Sequence, residues 1–248
     1  MSANGSEAPG KDVVLEIADL RSGYGDIPVL HGISLRLHAG EAVGIVGHNG
    51  MGKTTLLKTL MGHLPARAGK IAVDGTDVTQ WPAHARARLG IGYVPQEREI
   101  FSSLTVQENL KVATREGEWT SDRIYQLFPP LAQRRSNFGN QLSGGEQQML
   151  AVGRALVSNP KMLLLDEPFE GLAPVIVDQM VDALESIRKA SALAMILVEH
   201  HAEIALQFAK GAVVLDRGQV VWGGDCAELR ANPDKRAALI GIEEEVRR

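Results

Sequence analysis

Short runs of aliphatic and β-branched residues alternate along this chain with turns that contain glycine. Three runs, at residues 13–17, 33–37 and 71–73, are bounded by turn residues and are typical of strands in an antiparallel sheet. Residues 42–46 differ because they are continuously apolar, as expected for a strand covered on both faces. They lead through a glycine-rich turn into a predicted helix at 53–60, which makes half of a βαβ unit.

The second half of the chain continues this alternation after a long interruption. Buried-type strands are predicted at 162–165, 194–198 and 213–215, separated by helices at 174–190 and 203–209. Between about 98 and 160 the strand pattern stops, and helices are predicted at 105–113, 121–127 and 144–157, with glycine and Pro-Pro breaks between them. The pattern therefore predicts an α/β fold with an N-terminal antiparallel β subdomain and an inserted helical subdomain.

This pattern divides the chain into four parts. We expect a disordered tail at 1–11, which is small, polar and unlike a secretory signal. The α/β core is predicted to comprise 12–97 and 158–225, the helical subdomain 98–157, and a charged helical tail 226–248.

Composition narrows the classes of function. In 248 residues, 26 Lys and Arg stand against 30 Asp and Glu, so the net charge of −4 provides no overall basic field for nucleic acid. The single cysteine, Cys226, excludes an internal disulfide and fits a reducing compartment. The longest apolar runs are far shorter than the ~18–20 residues that span a bilayer, so no spanning segment is predicted.

The most specific motif is GHNGMGKT at residues 47–54, which matches the P-loop pattern and lies between a buried strand and a helix. Its glycines allow backbone N–H groups to point inward, and the helix N-terminus adds partial positive charge. A glycine-rich turn without a ligand is the alternative, which the terminal Lys-Thr pair and the flanking elements disfavour. The predicted phosphate-binding residues are Gly47, His48, Asn49, Gly50, Met51, Gly52, Lys53, Thr54 and Thr55.

Within this loop, Lys53 is predicted to reach the outer phosphates and the Thr54 hydroxyl to bind Mg²⁺. Two acids, Asp166 and Glu167, follow the apolar strand at 162–165, at the edge of the sheet where open α/β folds bind ligands. Asp166 is predicted to hold Mg²⁺ and Glu167 to be the general base for water attack. Adjacent acids after a strand are often only a solvated turn, but the P-loop makes that reading improbable.

A second candidate anion site lies at the start of the helix predicted at 144–157. Ser143 is a typical N-cap, Gly144 and Gly145 expose backbone N–H groups, and Gln147 lies on a polar face. The sequence of residues 142–147, LSGGEQ, resembles the signature motif of ATP-binding cassette ATPases. From about residue 13 to 224, the chain follows the motif order of that family.

The resemblance implies further site residues. Tyr24 occupies the position where the family stacks an aromatic ring on adenine. Gln96, in the sequence YVPQ, matches the glutamine that contacts Mg²⁺ and the attacking water and couples to the membrane partner. His200 matches the switch histidine that touches the γ-phosphate. Taken separately, Tyr24 could be a half-buried ring and His200 a hydrogen-bonded histidine at a strand end.

The resemblance also implies an assembly. Two such subunits form a head-to-tail sandwich in which residues 143–145 of one subunit cap the ATP on the P-loop of the other. Hydrolysis of the bound Mg-ATP then releases the dimer and drives a membrane partner. Both a homodimer and a pairing with a sister subunit remain open.

Within the family, residues 90–101, 104–110 and 166–174 resemble ATPase subunits of high-affinity branched-chain amino acid importers, with urea and amide importers as near relatives. This implies two integral-membrane permeases, a periplasmic solute-binding protein as an indirect partner, and a peripheral location on the cytoplasmic face of the inner membrane. The chain departs from the branch at Phe169, where serine is usual, at His200, where glutamine is frequent, and at 171–174, which lacks the aspartate of many cassettes.

Two other functions are compatible with parts of this sequence. A cassette that drives export of lipid or drug has the same core motifs, and these motifs do not separate it from an importer. A soluble cassette acting on nucleic acid or ribosomes is disfavoured because the sequence has no long coiled coil between the motifs, no second cassette and no basic stripe.

Overall fold

The computed structural model describes residues 12–200 and 202–240, so the predictions for residues 1–11 and for the end of the C-terminal tail lie outside it. The strands are β1 (Val13–Tyr24), β2 (Ile27–His38), β3 (Ala42–Val46), β4 (Ala66–Val73), β5 (Thr76–Asp77), β6 (Ile91–Val94), β7 (Met162–Asp166), β8 (Ala194–Glu199), β9 (Gly211–Asp216) and β10 (Gln219–Asp225). The helices are α1 (Lys53–Met61), α2 (Ala83–Leu89), α3 (Val106–Ala113), α4 (Ser121–Leu127), α5 (Pro129–Gln133), α6 (Gly144–Leu156), α7 (Pro174–Ala190), α8 (Ala202–Phe208), α9 (Cys226–Ala231) and α10 (Pro233–Ile240).

A six-stranded sheet in the order β10-β9-β3-β8-β7-β6 forms the centre of the molecule. The five strands from β9 to β6 run parallel, and only β10 is antiparallel to its neighbour. Every residue of β3, β7 and β8 is buried. This confirms the prediction from their continuous apolar sequences, because a parallel sheet is covered on both faces.

The first sheet is antiparallel, in the order β2-β1-β4-β5, as the alternating pattern predicted. Side chains such as Leu15, Ile17 and Ile71 point from it into a core that also contains Ile45 of β3 and Leu57 of α1. Helix α1 therefore lies between the two sheets, and its N-terminus is fixed where β3 ends.

The other face of the parallel sheet is covered by helices, and the three helices predicted between residues 105 and 157 are present as α3, α4 and α6. Thr105 caps α3 through a capping box with Glu108, as expected for a Thr followed three residues later by Glu. The Pro-Pro pair does separate two helices, but Pro129 also begins the short helix α5, because proline fits the first turn of a helix.

Five elements were absent from the prediction: α2, β5, β6, α5 and β10. Helix α2 contributes Arg86, whose side chain is 1% exposed. Its guanidinium donates to the carbonyl oxygens of Thr59 (2.7 Å) and Leu60 (2.8 Å) at the end of α1. A buried cation thus stabilises the negative end of the helix whose other end begins at the P-loop.

Within the described part of the C-terminal segment, α9 and α10 are separated by one residue, Asn232. The first residue of this segment, Cys226, has no exposed surface, and burial raises the pKa of the thiol to about 11. In the described part of the chain, no helix has both the length and the apolar composition required to cross a bilayer.

Candidate functional site

Four neighbouring strands end at one edge of the parallel sheet, and a predicted site residue lies at or just after the end of each. Gly47 follows β3, His200 follows β8, Asp166 ends β7, and Gln96 comes two residues after β6. Since these strands are adjacent in the order β3-β8-β7-β6, residues that are far apart in sequence share one cleft.

The P-loop is shaped by its glycines and by neighbouring turns. Gly52, the N-cap of α1, has a φ of 99°, which is strained for any residue with a Cβ. Gly47 is needed for a different reason, because a Cβ there would overlap the carbonyl oxygen of Leu215. The first turn of α1 contains no acidic residue, so its N-terminal charge remains available to an anion.

Lys53 places its ammonium group inside this loop. The side chain is 4% exposed, and its Nζ donates to the carbonyl oxygens of Gly47 (2.7 Å) and His48 (3.1 Å). It also lies 3.4 Å from Oε1 of Glu167. The ammonium group is therefore surrounded by three acceptors of this site, two carbonyl oxygens and one carboxylate oxygen.

Asp166 is fully buried and both of its oxygens accept hydrogen bonds. The Thr54 hydroxyl donates to Oδ1 (3.0 Å), and the Tyr93 hydroxyl donates to Oδ2 (3.1 Å). Burial raises the pKa of this carboxyl, and the two hydrogen bonds oppose that shift. The oxygen donors of Thr54 and Asp166, beside a phosphate-binding loop, fit the ligand preference of Mg²⁺.

Glu167 is brought into contact with the other predicted catalytic residues. Gln96 donates through Nε2 to its Oε2 (3.2 Å), and Nδ1 of His200 lies 3.7 Å from the same oxygen. The backbone of Glu167 has a φ of 47°, a left-handed conformation that costs about 1–2 kcal/mol for a residue other than glycine. Its amide donates to the carbonyl of Val198 (3.0 Å), which holds this turn against β8.

Three groups of this site were missed in the sequence. The Tyr93 hydroxyl binds Asp166, the Glu170 carboxylate accepts a hydrogen bond from Gln96, and Glu199 lies buried at the end of β8. Glu170 and Glu199 could have been found by applying to them the rule used for Asp166 and Glu167, that acids at or just after the end of a buried strand face the ligand edge. Nothing in the sequence indicates the reach of Tyr93.

The other predicted phosphate-binding residues of the P-loop differ in how exposed they are. His48, Asn49 and Gly50 are exposed, whereas Met51 and Thr54 are partly covered and Thr55 is buried. Tyr24 ends β1 with 45% of its surface exposed. Among the described residues, no hydrogen bond or ring contact joins Tyr24 to the P-loop. The stacking of Tyr24 on adenine stays a prediction.

The start of α6 is built separately from this cleft. Ser143 is the N-cap, with its hydroxyl accepting from the Glu146 amide (3.3 Å) while Glu146 Oε2 accepts from the Ser143 amide (2.8 Å). Ser143 and Gly144 are exposed, and Gly145 is partly covered. A Cβ on Gly145 would come 2.9 Å from Ile176 Cγ2, so helix α7 requires this glycine.

Gln147 has a more local contact than predicted, because its amide donates to the carbonyl oxygens of Gly139 (3.3 Å) and Leu142 (3.2 Å). Glu146, which completes the cap, was not among the predicted residues. Within residues 12–200 and 202–240, no hydrogen bond or ion pair joins residues 143–145 to the P-loop.

Phe169 is 5% exposed and packs in the core on the helical side of the sheet. The residue that replaces the usual serine of the resembled branch is therefore an internal packing residue within this chain.

Comparisons with known proteins agree with this geometry. A family model described as ABC transporter matches residues 30–170. The chain is 42% identical over 223 residues to the high-affinity branched-chain amino acid transport ATP-binding protein BraG of Pseudomonas aeruginosa, covering 88% of this chain and 95% of BraG. It is 34% identical over 234 residues to the lipopolysaccharide export system ATP-binding protein LptB of Escherichia coli K12, covering 92% and 97%. A solved nucleotide-free ATP-binding cassette from an ABC transporter shares the fold, with a TM-score of 0.78 and 24% identity, covering 94% of this chain and 100% of that one.

Proposed function

We propose that this chain, which belongs to the ABC transporter family and is an ATP-hydrolysing transporter subunit, drives the uptake of branched-chain amino acids. The observation that carries the choice of solute is the 42% identity to BraG across nearly the full length of both chains. The cleft at the ends of β3, β8, β7 and β6 supports ATP hydrolysis as the source of energy.

In this proposal the P-loop, residues 47–54 with Thr55, binds the phosphates of ATP. Lys53 exchanges its present acceptors, two carbonyl oxygens and Glu167, for phosphate oxygens. The exchange is favourable because a phosphate is the more highly charged acceptor and the N-terminus of α1 points at the same position. Tyr24, exposed at the end of β1, stacks on the adenine.

Thr54, Asp166 and Gln96 are the proposed ligands of Mg²⁺, which when bound neutralises charge on the β- and γ-phosphates. Tyr93 keeps the Asp166 carboxylate in position by holding Oδ2. The ligand oxygen Oδ1 already lies beside the Thr54 hydroxyl.

Glu167 is the proposed general base that accepts a proton from the attacking water. It is held for this task by its strained backbone and by its contacts with Gln96 and His200. Departure of Lys53 towards the phosphates frees Oε1 of Glu167 for the water. Gln96 and His200 are proposed to orient the water and the γ-phosphate.

Subunits of this family dimerise and work with membrane permeases. We propose that Ser143, Gly144, Gly145 and Gln147 of one subunit complete the site of the other. The exposed N-terminus of α6 supports this arrangement, because Ser143 and Gly144 are open to solvent and, among the described residues, no hydrogen bond or ion pair joins them to the P-loop of their own chain. The proposed partners are two integral-membrane permeases, a second ATPase subunit of the same or a sister kind and, indirectly, a periplasmic binding protein, with this chain on the cytoplasmic face.

Export is the second candidate, and the 34% identity to LptB over 92% of the chain favours it specifically. Import and export would both use the same proposed ATP site of this chain. The solute and the direction of transport must therefore be tested on the membrane complex.

The test uses the membrane complex captured through this chain and reconstituted in liposomes with its periplasmic binding protein. We expect leucine, isoleucine or valine, supplied together with the binding protein, to stimulate ATP hydrolysis. The same amino acid should accumulate on the side of the liposome membrane opposite the binding protein. The same complex with Glu167→Gln is the control for coupling. Stimulation by urea or amides instead would reassign the solute, and ATP-dependent extraction of a lipid would replace import by export.

A further inference from the structure

Glu199 is a buried acid that the proposed mechanism does not use. It is the last residue of β8, next to His200, and its surface is 1% exposed. Its Oε1 accepts a long hydrogen bond from the Phe169 amide (3.4 Å). Its Oε2 is buried and has no hydrogen-bond partner within residues 12–200 and 202–240. A buried oxygen without a partner costs free energy, and the cost is larger for an ionised carboxylate than for a neutral acid.

The charges that surround Glu199 do not favour an ionised carboxylate. Glu167 and Glu170, on the turn after β7, both act on it as like charges, and Nδ1 of the adjacent His200 lies 3.7 Å from Oε2 of Glu167. Lys53 on α1 acts on it as an opposite charge, but its Nζ already donates to the carbonyl oxygens of Gly47 and His48 and lies 3.4 Å from Oε1 of Glu167. The neighbouring strand β3 contributes the apolar residue Val46 opposite Glu199.

Burial is the largest cause of a raised pKa at Glu199, and the two neighbouring carboxylates add to it, so that the pKa is about 8. Near pH 7 the group is thus an uncharged acid that can accept through one oxygen and donate through the other.

The contact with the Phe169 amide gives this acid a place in the ATPase site. Phe169 lies two residues after Glu167, in the turn whose backbone is strained at Glu167. This turn is held to β8 at two points, by the bond from the Glu167 amide to Val198 and by the bond from the Phe169 amide to Glu199.

We propose that Glu199 is a positioning residue of the ATPase site: as a neutral acid it anchors the turn that carries Glu167, and its ionisation weakens nucleotide binding and hydrolysis. The inference rests on the proposed role of Glu167 as general base. Ionisation acts through charge, because a second carboxylate beside Glu167 repels both that group and the incoming triphosphate.

The sign of the pH effect follows from the raised pKa. Since the folded chain retains a proton that the unfolded chain, with an ordinary glutamate pKa of 4.5, has lost, this group lowers the free energy of unfolding as pH rises from about 4.5 through about 8. ATP affinity and turnover lose the contribution of the neutral acid above about pH 8.

The experiment compares wild type, Glu199→Gln and Glu203→Gln in the full chain. Glu203 lies four residues later, on α8, and is exposed, so Glu203→Gln makes the same Glu-to-Gln change outside the buried site. Measurements are thermal unfolding of the nucleotide-free chain from pH 5.5 to 9, the dissociation constant of Mg-ATP, and ATPase turnover over the same range.

We expect Glu199→Gln to keep turnover at pH 7 within about threefold of wild type, because the amide preserves both hydrogen-bonding sides of a neutral acid. It should lose the decline in ATP affinity and in unfolding temperature that wild type and Glu203→Gln show towards pH 9. Identical pH profiles for Glu199→Gln and wild type would overturn the proposal, as would a large loss of turnover at pH 7 in this variant.

Glu199→Ala supplies the second readout, since it removes the anchor as well as the charge. We expect turnover at pH 7 to fall about tenfold or more, with ATP binding reduced much less, because only the placement of Glu167 is lost. Turnover equal to that of wild type would contradict the anchoring role. If Glu199→Ala does not fold, the pH profiles of Glu199→Gln still decide the proposal.

The unfolding and ATP-binding measurements do not depend on Glu167 being the base. Failure of that assignment would be seen separately, as unchanged ATP hydrolysis by Glu167→Gln.

Discussion

The two parts of the proposed ATP site are built in opposite ways within one chain. At the P-loop, Lys53, Asp166 and Glu167 are at most 8% exposed and are fixed by contacts with one another and with the backbone. At the start of α6, Ser143 and Gly144 are exposed and are organised only by their own helix cap.

This difference concerns which part of the chemistry a single subunit can supply. The buried part contains the charged groups and the candidate base, and under the proposed function it binds a nucleotide within one subunit. The exposed part contains N–H donors and a hydroxyl, which under the same proposal act on a nucleotide held by the partner subunit.

The largest effect is expected for Glu167→Gln, which preserves the shape of the side chain and removes the base. Turnover should fall about 10²–10⁴-fold while Mg-ATP still binds, because general-base catalysis contributes on that scale. ATPase assays and size-exclusion chromatography with ATP measure the two properties, and the variant should accumulate as a nucleotide-bound dimer. Undiminished steady-state hydrolysis would reject Glu167 as the base.

Lys53→Ala removes the cation from the same buried part. The dissociation constant of ATP should rise about 10- to 100-fold, since hydrogen bonds to charged groups contribute about 1.5–3 kcal/mol each. Lys70→Ala, at an exposed position of β4, is the matched control for loss of one positive charge. Isothermal titration with Mg-ATP gives both constants, and equal values for the two variants would refute the placement of Lys53 at the phosphates.

Ser143→Arg attacks the exposed part. A large cation at this position should lower hydrolysis at least about tenfold by blocking closure on a second subunit, while each monomer binds ATP normally. Ser143→Ala separates blockage from loss of the cap, which is expected to cost about 1 kcal/mol of stability. Normal ATPase activity in Ser143→Arg would argue against a shared site.

The smallest effect is expected for Tyr93→Phe, which sharpens the account of the buried part. The variant keeps the aromatic ring and leaves Oδ2 of Asp166 without its donor, which should lower the free energy of unfolding by about 1–3 kcal/mol. The Mg²⁺ concentration needed for half-maximal activity should rise about fivefold, because Asp166 is held less firmly. Thermal unfolding without nucleotide and a Mg²⁺ titration are the measurements. If neither quantity changes, the hydroxyl does not position Asp166.

The elements that were predicted correctly are those in which local pattern and tertiary environment agree. Strand β3 and strand β8 are continuously apolar and completely buried, and α3 and α6 begin at residues that form capping boxes. The P-loop and the two acids after β7 were found because each requires particular residue types next to a recognisable element.

The missed elements lack such agreement. Helix α2, AHARARL, has one buried residue, the cationic Arg86, so it shows no apolar stripe. Strand β10 is an edge strand with no fully buried residue, and β6 is only four residues long. The pattern of apolar residues, on which the prediction depends, is weak or absent in all three.

The missed site groups have a different explanation. Tyr93 and Glu199 act through contacts made across neighbouring strands, and only the strand order β8-β7-β6 brings them to the acids after β7. Strand order is a property of the whole sheet. The position of Glu199 at the end of a buried strand therefore indicates the edge that it faces but not its contact with Phe169, and no local pattern indicates the contact of Tyr93.

The burial of Cys226 has a practical consequence. Its raised pKa, about 11, leaves very little thiolate near neutral pH, and its fully covered sulfur is closed to reagents. A cysteine introduced on the surface of the wild-type chain would therefore be the one thiol that reacts rapidly with a maleimide or a cross-linker. Spectroscopic labels and bifunctional reagents could then follow the approach of two subunits without first removing the native cysteine.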